Sequence, residues 1–263
     1  MSIRTTGFVT AVGIALALTS VDSAADNDDP VFRFSTGVDY TSGDYGGTVD
    51  IEEVYVPIAG SVDYGRFGFR LTVPYLSVTA PAGTIITGPG GQPVPGTGAS
   101  TTESGLGDIV GSVTMYDVIS NRELGIALDI TGKIKFATAD ENRGLGTGES
   151  DYSMQADVYK YFDDFTLLGT AGYKVRGDPA GVDLENTFFG SVGGIYNFTP
   201  KTRGGLIYDY RDSAFSTSDS IRELSGFVSQ DINDDWRIQI YALTGFSDSS
   251  PDFGGGMVIK RAF

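Results

Sequence analysis

The chain has 263 residues, enough for one domain with a sizeable core, and its formal net charge is −16 at pH 7. It contains no cysteine and no histidine, which excludes disulfide bonds and every mechanism that needs a histidine base or a cysteine nucleophile. A protein this acidic is not expected to bind nucleic acid.

Residues 1–25 have the features of a signal peptide. One basic residue precedes a short apolar run over residues 8–18, and small residues follow, so we expect cleavage after Ala25. The alternative is an uncleaved membrane helix, but the run is shorter than the roughly 20 residues that span a bilayer, and Asp22 follows it closely. The mature domain is therefore expected at 26–263.

The remainder of the chain alternates apolar and polar residues with a period of two, as β-strands do. In the first such segment, Phe32 and Phe34 share one face while Arg33 and Ser35 share the other. The predicted strands lie at about 31–41, 49–63, 67–79, 106–117, 123–137, 151–161, 165–176, 187–198, 202–211, 221–232, 236–246 and 254–263. Most of these twelve segments are long enough to cross a bilayer when tilted.

The predicted connections alternate strictly between short and mostly long. The short ones lie at 65–66, 118–122, 163–164, 200–201 and 233–235. The others lie at 42–48, 81–105, 138–150, 177–186, 212–220 and 247–253. This sorting predicts an all-β fold, a transmembrane antiparallel up-and-down β-barrel of about twelve strands with both termini in the periplasm of a Gram-negative bacterium. A soluble β-sandwich is the alternative, and it gives no reason for the sorting.

In such a barrel the apolar faces meet lipid, with aromatic residues near the strand ends, and the polar faces line the lumen. The alternative role for the polar charges is interior salt-bridge packing that fills the barrel. The candidate lumen-lining residues are Arg70, Lys133, Lys135, Lys174, Arg176, Arg237, Asp129 and Asp157.

Phe263 ends the last predicted strand, on the same face as Met257 and Ile259. A terminal aromatic residue on the lipid face resembles the signal read by the outer-membrane insertion machinery, which is therefore an expected partner. Arg261 shares that face, where the signal usually has an apolar residue, and its side chain could reach the interface.

Loop 81–105 is the longest connection and is rich in proline and glycine. It either covers the mouth or folds into the lumen as a constriction, or else it is exposed and irregular. The outer loops are rich in acidic residues, which indicates a repulsive surface or, through bridging divalent cations, contact with lipopolysaccharide.

Five short segments resemble the outer-membrane family named for the meta pathway of phenol degradation. They are Val73-Pro74-Tyr75, Gly105-Leu106-Gly107-Asp108, Lys135-Phe136-Ala137-Thr138, Gly146-Thr147-Gly148 before Asp151, and Ala171-Gly172-Tyr173. Ala137 departs from the family's usual proline. The resemblance implies a twelve-stranded barrel that acts as a transporter, with a link to aromatic substrates.

The sequence thus predicts a channel for passive passage of small molecules through the outer membrane, with hydrophobic or aromatic compounds as candidate solutes. No enzyme activity, metal or cofactor is expected. The adjacent acidic pairs Asp163-Asp164 and Asp234-Asp235 are interpreted as turn residues, since both fall in short connections. The alternative is a structural or surface-interaction barrel whose lumen is occluded. Lipid and lipopolysaccharide are the expected surroundings in either case.

Overall fold

The computed structural model describes residues 2–9, 15–24, 29–88, 91–179 and 181–263, with side chains described from residue 29 onward. Residues Ser2–Val9 and Ala15–Ala24 pair as a separate two-stranded antiparallel sheet. The expected cleavage point after Ala25 lies outside the described residues. No helix in the described ranges is both long and apolar enough to span a membrane.

Twelve antiparallel strands form a closed barrel, so the predicted all-β antiparallel barrel of about twelve strands is confirmed. The strands are β1 (Val31–Gly43), β2 (Ile51–Tyr64), β3 (Phe67–Pro81), β4a (Ser100–Leu106) with β4b (Val110–Asn121), β5 (Ile126–Lys135), β6 (Asp151–Tyr161), β7 (Phe165–Val175), β8 (Thr187–Thr199), β9 (Thr202–Arg211), β10 (Ile221–Asp231), β11 (Trp236–Gly245) and β12 (Phe253–Ala262). Each pairs with its neighbours in sequence, and β12 pairs with β1 to close the ring. One 3-10 helix, Glu141–Arg143, lies between β5 and β6.

The fourth strand is interrupted, because β4a and β4b both pair with β3. The prediction that residues 100–105 belong to a loop was wrong. They extend the ladder with β3, where the hydroxyls of Thr79 and Thr102 lie 2.8 Å apart. Ser and Thr side chains occur on both faces here, so apolar and polar residues do not alternate with a period of two, although the backbone pairing is regular.

Short connections at 65–66, 122–125, 162–164, 200–201 and 232–235 gather at one end of the barrel, hereafter the short-turn end. The opposite, long-loop end carries the connections 44–50, 82–99, 136–150, 176–186, 212–220 and 246–252. The predicted alternation of connection lengths is confirmed, with the longest loop shortened to 82–99.

The outer surface of the barrel consists largely of exposed apolar side chains. Contact of so much apolar surface with water would be unfavourable. On β1, Phe34 is 45% exposed whereas its neighbour Ser35 is 5% exposed, because successive side chains point outward and inward. Exposed aromatic residues near the short-turn end are Phe32, Tyr64, Phe67, Phe162, Phe165, Tyr196, Phe198 and Phe263. Those nearer the long-loop end are Tyr75, Phe136, Tyr152, Tyr173, Phe188, Tyr210, Phe246 and Phe253. An apolar band between two aromatic girdles is suited to a lipid bilayer.

The chain terminus is fixed at the short-turn girdle. The backbone N–H of Phe263 donates to the carbonyl oxygen of Phe32 at 2.9 Å. The guanidinium of Arg261 lies 5.3 Å from the ring centroid of Trp236 and 4.6 Å from that of Phe263. The charge on the outer face is thus placed among aromatic rings, which attract a cation over their faces.

Candidate functional site: the charged interior

Residues directly opposite one another on paired strands point to the same face, so the barrel interior divides into rows that run across the strands. One row is basic, and along it cations and serines alternate from one strand to the next. This basic row consists of Arg33, Ser61, Arg70, Ser112, Lys133, Ser153 and Lys174, from β1 to β7. It places four cations on alternate strands around half of the lumen.

The basic row connects the two ends of the barrel. Arg33 is the third residue of β1 at the short-turn end, and Lys174 is the next-to-last residue of β7 at the long-loop end. Six steps of about 4.8 Å between strands that tilt by about 40° raise such a row by roughly 19 Å along the barrel axis. That is most of the height of an apolar band of about 25 Å.

A second row is acidic and climbs in the same direction. This acidic row consists of Asp129, Asp157, Thr170, Ser191, Asp209 and Glu223, from β5 to β10. On β5 the two rows are four residues apart, at Asp129 and Lys133, which is about 13 Å along a strand. The interior therefore carries two neighbouring tracks of opposite charge.

Side chains in and beside the acidic row hold its first two carboxylates in position. Asp157 accepts hydrogen bonds from Thr170 Oγ1 at 2.7 Å and from Gln155 Nε2 at 2.9 Å. Asp129 Oδ1 accepts the backbone N–H of Asp117 at 2.8 Å. Neutral donors, rather than salt bridges, thus satisfy these two aspartates in the described part of the chain.

Several interior charges, including one at an end of each row, form ion pairs. Arg33 pairs with Asp63, and Arg211 pairs with Glu223 at 2.5 Å between Nη2 and Oε2. At the short-turn end Asp231 receives two cations, since Arg203 Nη2 lies 3.0 Å from Oδ2 and Arg237 contacts Oδ1. These contacts hold the wall in place, and they neutralise the first residue of the basic row and the last residue of the acidic row.

Lys135 is the centre of a buried ion-pair cluster at the long-loop end. Its Nζ lies 3.2 Å from Asp108 Oδ2, 3.2 Å from Asp151 Oδ2 and 3.1 Å from Thr147 Oγ1. Asp108, in the break between β4a and β4b, also accepts the backbone N–H of Thr138 at 3.0 Å. Three of the five segments that carried the family resemblance therefore meet at one lysine.

The described part of loop 82–99 packs against other loops at the long-loop end, so it is not the exposed, irregular loop that was one alternative. Thr87 is 1% exposed and Gln92 is 3% exposed. The backbone N–H of Ile86 donates to Gly144 O at 2.9 Å, and Ser213 Oγ donates to Gln92 Oε1 at 2.9 Å. The loop is thus tied both to the β5–β6 loop and to the β9–β10 loop.

An apolar cluster fills part of the interior beneath this loop. Ile86 from the loop and Leu145 from the β5–β6 loop pack into it, and Tyr45 packs against its edge. Burial raises the pKa of the Tyr45 phenol above its usual range. The strand residues of the cluster are Ile51, Tyr55, Leu76, Val78, Ala80, Ala127, Tyr159, Leu168, Ile195, Ile207, Phe227, Tyr241 and Leu243.

The eight candidate residues from the sequence do not form one site. Arg70, Lys133 and Lys174 lie in the basic row and Asp129 and Asp157 in the acidic row. Lys135 belongs to the buried cluster, Arg237 to the ion pairs at the short-turn end, and Arg176 follows β7 at the long-loop end.

Sequence reasoning did not select Arg33, Asp209 and Glu223, which complete the two rows. The alternation of apolar and polar residues along each strand places them on the inner face. Only the register between strands shows which inner residues are neighbours. Asp108 was likewise not selected; it lay in the predicted strand 106–117, and the break between β4a and β4b that contains it is a finding of the structure.

A closed strand barrel with an apolar exterior and a charged interior defines a transmembrane β-barrel protein. The chain belongs to the family described as "Putative MetA-pathway of phenol degradation", whose model matches residues 33–259. No curated protein sequence matches it.

Solved structures resemble the chain in fold. The COG4313 outer membrane channel from Pseudomonas putida F1 superposes with a TM-score of 0.71 at 12% identity, over 91% of this chain and 97% of that one. The KdgM porin gives 0.55 at 8% identity, over 88% and 99%. The NanC porin gives 0.53 at 8% identity, over 87% and 98%.

Proposed function

We propose that the protein is a passive channel for small molecules in the outer membrane of a Gram-negative bacterium. The observation that carries the proposal is the pair of charged rows that climb the interior between the short-turn end and the long-loop end. The charged and hydroxyl side chains of such rows offer a solute replacement contacts for water along its path.

The fold of the chain supports this proposal, since the structures it resembles include an outer membrane channel and two porins. We place the long loops outside the cell and both termini in the periplasm, with lipopolysaccharide around the acidic loops. Export would use residues 1–25 as a signal peptide cleaved after Ala25. The insertion machinery would read Phe263, which is 68% exposed at the short-turn girdle. No catalytic role is proposed for any residue.

Hydrophobic or aromatic compounds are candidate solutes because the family description refers to phenol degradation. The interior contains apolar and aromatic side chains beside the charged rows. Tyr159 follows Asp157 by two residues on the same inner face, and Leu168 precedes Thr170 by two residues. Such contacts would suit an aromatic ring. A comparison of uptake rates for phenol and for cyclohexanol in proteoliposomes tests this preference.

A second candidate function has its own support. Loop 82–99 and the apolar cluster narrow the interior, and this favours a barrel whose lumen is occluded and whose loops contact lipid or a neighbouring surface. The two candidates differ in one measurable property, which is ion conduction through the folded barrel.

Single-channel recording in planar bilayers tests the proposal. We expect the refolded wild-type protein to give small, discrete current steps, because the interior is narrowed but charged. Replacement of residues 85–94 by a short glycine-serine linker should raise the conductance several-fold. Silence from both folded proteins would overturn the channel and leave the occluded barrel.

A further inference from the structure

Lys174 of the basic row, Arg176 beside it and Asp209 of the acidic row belong to no ion pair among the described residues. In the described part of the chain, Nε and Nη1 of Arg176 are buried without a hydrogen-bond partner. Asp209 is 6% exposed, and its Oδ2 has no hydrogen-bond partner among the described residues. Buried polar groups are ordinarily satisfied, so these atoms have hydrogen-bonding capacity that the described residues do not fill.

The unsatisfied groups have opposite signs and lie at similar height. Lys174 is the next-to-last residue of β7 and Asp209 is the third from the end of β9, both towards the long-loop end. Arg176 follows β7 directly, and the carboxylate of Asp209 lies in the row that passes through Thr170 on the same strand as Lys174. A solute entering from this end meets a cationic side and an anionic side at once.

We propose that the lumen prefers small solutes that carry a positive and a negative group on the same molecule, that is, amino-acid-like zwitterions. The inference rests on the proposed channel function and specifies its substrate class. A zwitterion can turn its carboxylate towards the basic row and its ammonium towards the acidic row. Because both rows run along β5, β6 and β7, it can keep that orientation across those strands.

Simple ions gain less from the same wall. An anion is attracted by the basic row but repelled by the acidic row, and a cation meets the reverse. A neutral polar solute gains little from either row, although it is dehydrated to a similar extent in the narrowed lumen. The arrangement thus favours a permanent dipole over a single charge of either sign.

Two isomeric probes test the proposal without a difference in size. Glycine is a zwitterion at pH 7, and glycolamide is its neutral isomer with the same atoms. In swelling assays with proteoliposomes of the full chain, we expect glycine to enter several-fold faster than glycolamide. Equal rates, or faster glycolamide, would overturn the zwitterion preference while leaving the channel intact. Entry of neither probe, together with silence in bilayer recording, would instead overturn the channel itself.

Variants in and beside the two rows make the test specific. Lys174→Gln with Arg176→Gln should lower the ratio of glycine to glycolamide rates towards one and move the reversal potential in a KCl gradient towards cation selectivity. Asp157→Asn with Asp209→Asn should lower the same ratio but move the reversal potential towards anion selectivity. Lys201→Gln, on an exposed short turn, is the matched control and should change neither quantity.

The wild-type comparison decides the proposal even if a double variant fails to fold. If both double variants fold and keep the wild-type ratio, the rows do not select the solute and the proposal is wrong. Folding of each variant is checked by heat-modifiable mobility in gel electrophoresis.

Discussion

Ser213 donates a hydrogen bond to Gln92 across the lumen, with Oγ 2.9 Å from Oε1. Gln92 lies in the loop between β3 and β4a, and Ser213 lies in the loop between β9 and β10. Six strands separate these loops in either direction around a barrel of twelve, so the contact joins loops from opposite sides of the barrel. Loop 82–99 is therefore held by the opposite side of the wall and reaches across the long-loop end.

A cysteine pair at these two positions should report that crossing. The natural chain has no cysteine, so Gln92→Cys combined with Ser213→Cys introduces the only two thiols. We expect a short thiol-reactive cross-linker to join them in high yield in the folded barrel, measured by gel mobility. Gln92→Cys with Lys201→Cys, at the opposite end, is the control. Equal yields from both pairs would contradict a fixed crossing.

Gly144 allows the loop to dock. Its φ is +68°, and a Cβ atom placed there would lie 2.1 Å from Thr84 O. Gly144→Ala should cost roughly 1–2 kcal/mol from the left-handed backbone alone, and the clash should detach loop 82–99. We expect faster proteolysis within that loop. Gly181→Ala is the matched control, because Gly181 has φ +83° but open space around it. A similar effect of both variants would show that the clash is not responsible.

The ion-pair cluster at Lys135 should be essential for stability. Lys135→Met leaves the carboxylates of Asp108 and Asp151 buried near each other without their cation, so we expect the free energy of unfolding to fall by about 3–5 kcal/mol. Urea unfolding in lipid vesicles measures this value. Lys160→Met, on β6 near the short-turn end, should change it much less. A small effect at Lys135 would mean that the cluster is not a structural anchor.

The outer face should tolerate apolar residues but not charge. Leu206 is 62% exposed in the middle of β9. In a bilayer, Leu206→Arg should lower the free energy of unfolding by about 2–4 kcal/mol, since arginine near the midplane is costly. Leu206→Ala supplies the comparison without charge. If arginine were as well tolerated as alanine in vesicles, this face would not contact lipid.

Phe263 should matter for assembly more than for stability. Its side chain is 68% exposed, so Phe263→Ala removes little packing and the refolded barrel should unfold almost as the wild type does. In cells, we expect several-fold less assembled barrel, measured by heat-modifiable mobility of membrane fractions. Phe198→Ala, another exposed aromatic residue at the short-turn end, should assemble normally. Equal losses from both variants would argue against a terminal recognition signal.

Local pattern was sufficient to predict most of the strands. The predicted segments 151–161 and 202–211 coincide with β6 and β9, because alternation there continues up to the turn residues. The sorted connection lengths predicted closure, since only a barrel that separates two environments needs short turns at one end. The start of β4a was missed, because a Ser- and Thr-rich ladder beyond the apolar band has no apolar face.

The interior required information that the sequence of a single strand does not contain. Asp157 and Asp209 can each be assigned to the inner face, but their place in one row depends on the register of three successive strand pairs. Lys135 was predicted to line the lumen like Lys133, and the two have the same local pattern. Only the inward turn of Asp108 distinguishes the buried anchor from the row residue.

The pairing of β12 with β1 makes the ring depend on both ends of the domain at once. Until the last ten strand residues arrive, two edges remain with unpaired backbone groups, and hydrocarbon offers those groups no partner. We therefore expect a partly delivered polypeptide to have no stable form in the bilayer, so that insertion proceeds for the whole chain together or not at all.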